Sequence, residues 1–365
     1  MDLEKLVAQG EKALEEFQPE LALKFFKRAL AIDNQESSTT ARVLDLTGET
    51  LVAVGEPEEA LGHFLKSSQV APNENPYKWL YLGQLLEGSE SLQCFRTGIA
   101  MLGALKQEQT DAAACEKLDK EIGKAYCNIA EIYMTDLCME ENAEQQCEEA
   151  VRLATEHDST SLDLGLSLAN LRLSQSRPED ACSAMAVVYK HVIASLDAQA
   201  RKPILSAFRE DQSADSAASS SAEEPEPVEP EMCVSVVQRL IECATVQPAL
   251  ATAAMEVAQR LLLLDDSNIE LWYLLGVAAM SCQPPEADTA AEVLGRAKEM
   301  LEGLAKQAGG GAQKMPQELQ CQYELVCENL VAAQAVPRTD ATDAVPMEDD
   351  DDEDDEDDAE YEAAP

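Results

Sequence analysis

Positive charge is what this 365-residue chain has least of: 27 Lys and Arg stand against 70 Asp and Glu, a formal charge of −43. A field of that sign repels phosphate backbones and anionic lipid, which argues against direct nucleic-acid or membrane binding and points to a basic partner. Long apolar runs are missing too. The longest, Leu271 to Met280, is far shorter than the roughly 20 residues a membrane-crossing helix needs. The opening Met1-Asp2-Leu3-Glu4-Lys5 has the character of neither a secretory signal nor a transit peptide. A soluble monomer of the cytoplasm and nucleus is expected. The 11 Cys include no C-x-x-C pair, and the three His, His63, His157 and His191, are far apart in sequence. No metal and no other cofactor is therefore expected, and Cys127, Cys147, Cys182 and Cys243 read as reduced core thiols within helical patterns. Catalytic signatures are absent as well: there is no Gly-rich phosphate loop, no G-x-S-x-G elbow and no Cys/His pair at useful spacing. The carboxylates occur as surface runs, so the chain reads as a non-enzyme.

What the chain does have is repetition. Pro19-x-x-Ala22-x3-Phe26-x2-Ala29 recurs as Pro57-x-x-Ala60-x3-Phe64-x2-Ser67 and as Pro178-x-x-Ala181-x3-Met185-x2-Val188. Each reads as the second helix of a hairpin: Pro opens the first turn, where its missing N–H costs nothing, and a small residue admits a close neighbour. A large residue one turn on then fills the gap. Gly10 and Gly48 each precede the Ala by twelve residues, where a first helix would cross closely. The only two Trp sit in one matching context, Trp79-x2-Leu82-Gly83 and Trp272-x2-Leu275-Gly276.

This grammar resembles the tetratricopeptide repeat, a helix-turn-helix unit of about 34 residues. Further copies read Tyr126-x2-Ile129-Ala130-x2-Tyr133 with Ala143-x3-Cys147-x2-Ala150, then Leu168-Ala169 leading to Ala181, then Ala254-x3-Ala258-x2-Leu261, then Ala290-x3-Leu294-x2-Ala297. The fold expected is an all-α solenoid of such hairpins wound into a superhelix. Two spacings depart from the pattern. The first two copies are offset by 38 residues, with Ser37 to Thr40 as the insertion, and the third is four residues short between Gly83 and Ser91. Gln317 to Ala335 reads as the capping helix a solenoid end requires.

Two segments lack the apolar content to fold. Residues 210 to 231 are rich in Ser, Pro and acid, and the tail carries an unbroken acidic run from Glu348 to Asp358; such composition cannot offset ordering entropy and is expected to stay extended. The expected organisation is a repeat array over 1–205, a disordered linker over 206–231, further repeats with the cap over 232–336, and a disordered acidic tail over 337–365. The tail accounts for −14 of the charge, so −29 remains on the rest of the chain.

In this architecture the first helices line the concave face. The positions the repeat pattern exposes there hold Glu4, Glu11, Asp45, Glu49, Tyr77, Gln84, Glu131, Asp163 and Asn170. Such a groove, acidic with aromatic and amide side chains between, suits Arg and Lys through charge-assisted hydrogen bonds and stacking. The plainer reading of these acids is the solvated face of amphipathic helices, and of Tyr77 a packing residue. The cationic clamp by which this fold holds acidic chaperone tails is not present: its positions are Val7, Glu11 and Leu46.

The runs Asn75-Pro76-Tyr77-Lys78-Trp79-Leu80-Tyr81-Leu82-Gly83-Gln84-Leu85 and Lys124 to Leu137, with the terminal acidic run, resemble the dedicated assembly chaperones of large ribosomal subunit protein 4. The resemblance implies a chaperone that captures this newly made basic protein, shields its long internal loop and escorts it to the nucleus for large-subunit assembly. Histone chaperones of the acid-interrupted tetratricopeptide kind are the alternative. In that family the acidic insertion breaks an early repeat, whereas here it separates the fifth and sixth copies. A static interaction scaffold is the third possibility.

Overall fold

The computed structural model describes residues 3–32, 38–209, 228–307 and 316–336, and all regular structure among them is α-helix. In chain order the helices are α1 (Leu3–Glu15), α2 (Pro19–Ile32), α3 (Ser38–Ala53), α4 (Pro57–Val70), α5 (Tyr77–Leu85), α6 (Gly88–Glu108), α7 (Ala112–Met134) and α8 (Ala143–His157). They continue as α9 (Leu162–Ser174), α10 (Pro178–Arg209), α11 (Pro230–Ala244), α12 (Ala249–Leu264), α13 (Ile269–Ser281), α14 (Ala287–Gln307) and α15 (Gln317–Ala335). Each packs chiefly on its neighbours in sequence, giving seven hairpins and a final helix. This is the expected tetratricopeptide-type solenoid.

The repeat grammar works as an interlock. Pro opens α2, α4, α10 and α11, and Ser161 and Asn268 cap α9 and α13 by accepting hydrogen bonds from the Leu164 and Leu271 amides. A glycine on the first helix then lies flat against the large side chain of the second. A Cβ on Gly10 would stand 2.3 Å from the Phe26 ring, one on Gly48 2.6 Å from Phe64, one on Gly83 2.7 Å from Phe95 and one on Gly276 2.5 Å from Leu294. Both Trp indoles also do one job, donating to the carbonyl oxygen of the preceding loop: Trp79 to Pro72 at 3.0 Å and Trp272 to Asp266 at 2.8 Å.

Gly48→Ala is accordingly expected to cost about 1–3 kcal/mol by overpacking. Phe64 cannot retreat, because it is fully buried and stacked on Tyr81 with ring centroids 5.0 Å apart. Gly62→Ala, on an exposed helical position with nothing within 4 Å, should instead stabilise by up to about 1 kcal/mol. Urea unfolding of the pair checks both signs.

The spacing irregularities are absorbed in whole turns. Ser38, Thr39 and Thr40 form the first turn of α3, and the four-residue deficit after Gly83 goes with a first helix, α5, of only nine residues. Gly83 therefore still meets Phe95. The adjacent helices α6 and α7 of successive hairpins are long, with 21 and 23 residues.

The two expected arrays share one core. Ala181, Met185, Val188 and Val192 of α10 pack with Val236, Val237 and Leu240 of α11 and with α12 to α14 in a single apolar cluster. Helix α10 continues to Arg209 and α11 begins at Pro230, so helix occupies both margins of the segment read as linker. The rest of that segment, 210–227, and the acidic tail, 337–365, lie outside the described residues. Helix α15 closes the array through Val326, Leu319 and Tyr323.

All eleven cysteines are free, and seven are buried. Burial pushes the thiols of Cys127 and Cys243 up to about 12 and those of Cys147 and Cys233 up to about 11, which leaves them unreactive core groups. Among the described residues no helix is long and apolar enough to cross a membrane, and no cluster of His, Cys, Asp and Glu has metal-site geometry.

Candidate functional site

Four of the nine groove residues meet in one cavity. Glu4 and Glu11 of α1 face Asp45 and Glu49 of α3 across a space of about 710 Å³, closed at one end by Glu74 and Asn75 of the loop leading into α5. Five carboxylates thus share a wall with one cation, Arg42, which is engaged by Glu11. Val7, Ala8, Val43 and Leu46 supply its apolar portion. The helical periods of α1 and α3 place these residues on facing stripes, and the α1/α2 and α3/α4 interlocks fix the distance between the stripes.

Asp45 is not the exposed groove acid that the repeat pattern indicated. It is 4% exposed, because the loop before α5 folds over α3. Asn75, in the left-handed region at φ 49°, donates its Nδ2 to Asp45 Oδ2 at 2.9 Å while its own Oδ1 accepts from the Tyr77 amide at 3.1 Å. Beneath it lies Lys78, fully buried. Its ammonium donates to the carbonyl oxygens of Ala71 at 2.6 Å and Ser67 at 3.4 Å and to the Ser67 hydroxyl at 3.2 Å, and stands 4.0 Å from Asp45 Oδ2. Lys78 therefore caps the C-terminal carbonyls of α4, where a cation is favoured. Burial raises the Asp45 carboxyl above its ordinary range despite Ser67, Asn75 and Lys78, and burial lowers Lys78 despite Asp45 and Glu74.

Glu49 is half-buried rather than exposed, and burial together with the Asp45 charge pushes it up to about 7. A carboxyl raised in the folded state binds more protons there than in the unfolded chain, so its ionisation opposes folding as pH rises from the unfolded value towards 7. Glu49→Gln is expected to raise stability by less than about 1 kcal/mol at pH 5 and by on the order of 2 kcal/mol at pH 8. Denaturant titrations at the two pH values check this, and equal effects at both would contradict it.

The other groove residues lie apart from this cavity. Tyr77 is partly exposed and borders a second space of about 410 Å³ with Leu105, Lys117 and Leu118 of the long helices α6 and α7. Burial, and after it the charges of Glu49 and Glu121, raise the phenols of Tyr77 and Tyr81. Gln84 and Glu131 are exposed. Asp163 is half-buried and raised by burial, with Lys124, Glu229 and Asp158 around it. Asn170 is half-buried, and its Oδ1 accepts no hydrogen bond among the described residues. Glu74, Arg42 and Lys78 escaped the sequence reading. For Lys78 the available signal was a lone cation inside the apolar run from Tyr77 to Leu82.

No protein-family model matches the chain. A curated relative from Schizosaccharomyces pombe, named "Probable assembly chaperone of rpl4", is 34% identical over 149 residues, covering 40% of this chain and 44% of its own length. A relative of the same name from Emericella nidulans is 26% identical over 287 residues, covering 75% of this chain and 64% of its own length. The chain thus spans less than two thirds of either relative. A solved structure described as "Assembly Chaperone of RpL4 (Acl4) (Residues 1-338)" superposes with a TM-score of 0.60 at 25% identity, over 80% of this chain and all of that one. The resemblance to assembly chaperones of rpl4 read from the sequence is therefore present in curated relatives and in fold.

Proposed function

We propose that this chain is an assembly chaperone of rpl4: it binds the newly made basic ribosomal protein, covers the long basic internal loop of that client, and accompanies it from cytoplasm to nucleus for large-subunit assembly. The observation that carries the reading is the acidic cavity between α1 and α3, set in a solenoid that shares the fold of Acl4. Binding is the whole of its chemistry. Opposed charges hold the client, apolar and aromatic side chains cover it, and no bond is made or broken. One chain suffices, and neither nucleic acid nor membrane is needed.

Affinity purification of the tagged chain with mass spectrometry should recover rpl4 as the stoichiometric partner. The complex should weaken at least about tenfold between about 0.1 M and 0.5 M salt, since partly exposed charges are screened beyond about 8 Å at physiological ionic strength. Recovery of histones in place of rpl4 would replace the reading with that of a histone chaperone. A complex indifferent to salt would move the interface to an apolar surface.

A further inference from the structure

We infer that the exposed face of α2 holds the acidic run Glu348 to Asp358 of the same molecule. The inference goes beyond the chaperone reading, since it concerns two segments of this chain and stands whatever the client.

This face differs from the rest of the surface in charge and in apolar content. Lys24, Lys27 and Arg28 stand against the single acid Glu20, the largest excess of cations on any of the helices, in a chain whose formal charge is −43. All three are exposed. Lys27 is held by Glu59 at 2.7 Å, whereas Lys24 and Arg28 have no carboxylate partner among the described residues. Leu21 and Ile32 are exposed as well, and steps of three and four residues set Leu21, Lys24, Arg28 and Ile32 on one arc of the helix.

Ahead of this arc stands Phe17, 93% exposed in the turn between α1 and α2. Its backbone is left-handed at φ 56°, and the same place in the turn is held by Gly55 at φ 81° before α4 and by Ser176 at φ 58° before α10. All three turns close alike. The next residue donates to a carbonyl oxygen five residues back: Gln18 to Ala13, Glu56 to Leu51 and Arg177 to Arg172. Such a turn favours glycine or a small polar residue. A phenyl group placed there in solvent gains nothing inside the fold, so its strain and exposure together point to a contact outside it.

What complements this face is acid with apolar groups beside it. The run supplies eleven consecutive carboxylates, with Val345 and Met347 shortly before it and Tyr361 shortly after. The cavity between α1 and α3 is acidic and repels it. Opposite charge and apolar groups on both sides make α2 the surface it fits. The chain is long enough: the 22 residues from Val336 to Asp358 extend up to about 75 Å, and seven hairpins stacked about 10 Å apart make about 70 Å. Docked there, the run covers Phe17, Leu21 and Ile32 and is kept from a basic client in the groove.

The test is carbodiimide cross-linking of the full chain at low salt, on an equal mixture of isotope-labelled and unlabelled protein, with the links mapped by mass spectrometry. Expected are links within single molecules from Lys24 and Lys27 to the carboxylates of 348–358. They should be at least about threefold more frequent than links to the same run from Lys117 and Lys190, which are also exposed, and should vanish at about 0.5 M salt. Phe17→Gly keeps the turn, since glycine adopts that φ freely, and Arg28→Glu leaves both lysines in place. Each should cut the links to the run at least about threefold, while the link of Lys27 to Glu59 persists and circular dichroism shows unaltered helix. Links spread evenly over the exposed lysines, links formed chiefly between labelled and unlabelled chains, or yields that neither substitution alters would overturn the docking.

Discussion

Lys78→Met should destabilise the solenoid by about 3 kcal/mol or more, the cost of removing one partner from a buried charged pair. The side chain is fully buried, and its loss strips a donor from the Ala71 and Ser67 carbonyl oxygens while leaving Asp45 with no nearby cation beneath the Asn75 loop. Methionine fills the volume, so the deficit is electrostatic rather than a cavity. Adding Asp45→Asn removes the stranded charge and keeps an acceptor for Asn75, and should return about 1 kcal/mol, within the range of coupling between residues in contact. Chemical denaturation of the parent, both single variants and the double variant gives the cycle. An unchanged Lys78→Met would mean that the ammonium is not confined between α4 and α5. Because the Glu74–Asn75 loop, which leads into α5, lines the cavity, the same variant should also bind client more weakly.

Reversing charge along the groove should abolish client binding while the fold survives. The informative variant combines Glu4→Lys, Glu49→Lys and Glu131→Lys. Asp45 is left alone, since a lysine forced into its buried position would unfold the second repeat and report on stability instead. Glu4 and Glu131 are exposed, so each of those changes should cost within about 0.5 kcal/mol, and at half-buried position 49 a lysine would stand beside the Asp45 charge. Together they turn three anions into three cations, and like charges juxtaposed across an interface cost several kcal/mol, so affinity for rpl4 should fall at least about a hundredfold. Circular dichroism should show unaltered helix. Retained binding by the folded variant would place the interface elsewhere.

The contrast between these two variants marks what the sequence could disclose. The hairpins were legible because each is specified within its own 30-odd residues: Gly48 and Phe64 must occur at that spacing if the helices are to touch, and they do touch. The facing acids of α1 and α3 were legible for the same reason, as two stripes set by helical period. Asp45 was misread because the period of α3 registers only α3. What covers Asp45 is Asn75, thirty residues on, swung over by a left-handed turn that nothing near Asp45 announces. Lys78 was hidden by the motif that made its neighbours conspicuous, since the repeat signature fixes Trp79, Leu82 and Gly83 and is silent on the residue before them. The union of the two arrays was also out of reach. The burial of Val236 and Leu240 against α10 depends on where the chain returns after the Ser/Pro/acid segment, which composition does not specify.

The central claim is that an acidic concave solenoid holds and covers a basic ribosomal protein. Its most direct test is a calorimetric titration of the purified chain with purified rpl4, run beside a light-scattering assay of rpl4 aggregation and repeated with histones. The expected result is stoichiometric binding of rpl4 that suppresses its aggregation, weakens with salt and is lost in the Glu4, Glu49, Glu131 reversal variant, with histones bound more weakly. Rpl4 that aggregates at the same rate with and without the chain, or binding preserved in the reversal variant, would contradict it.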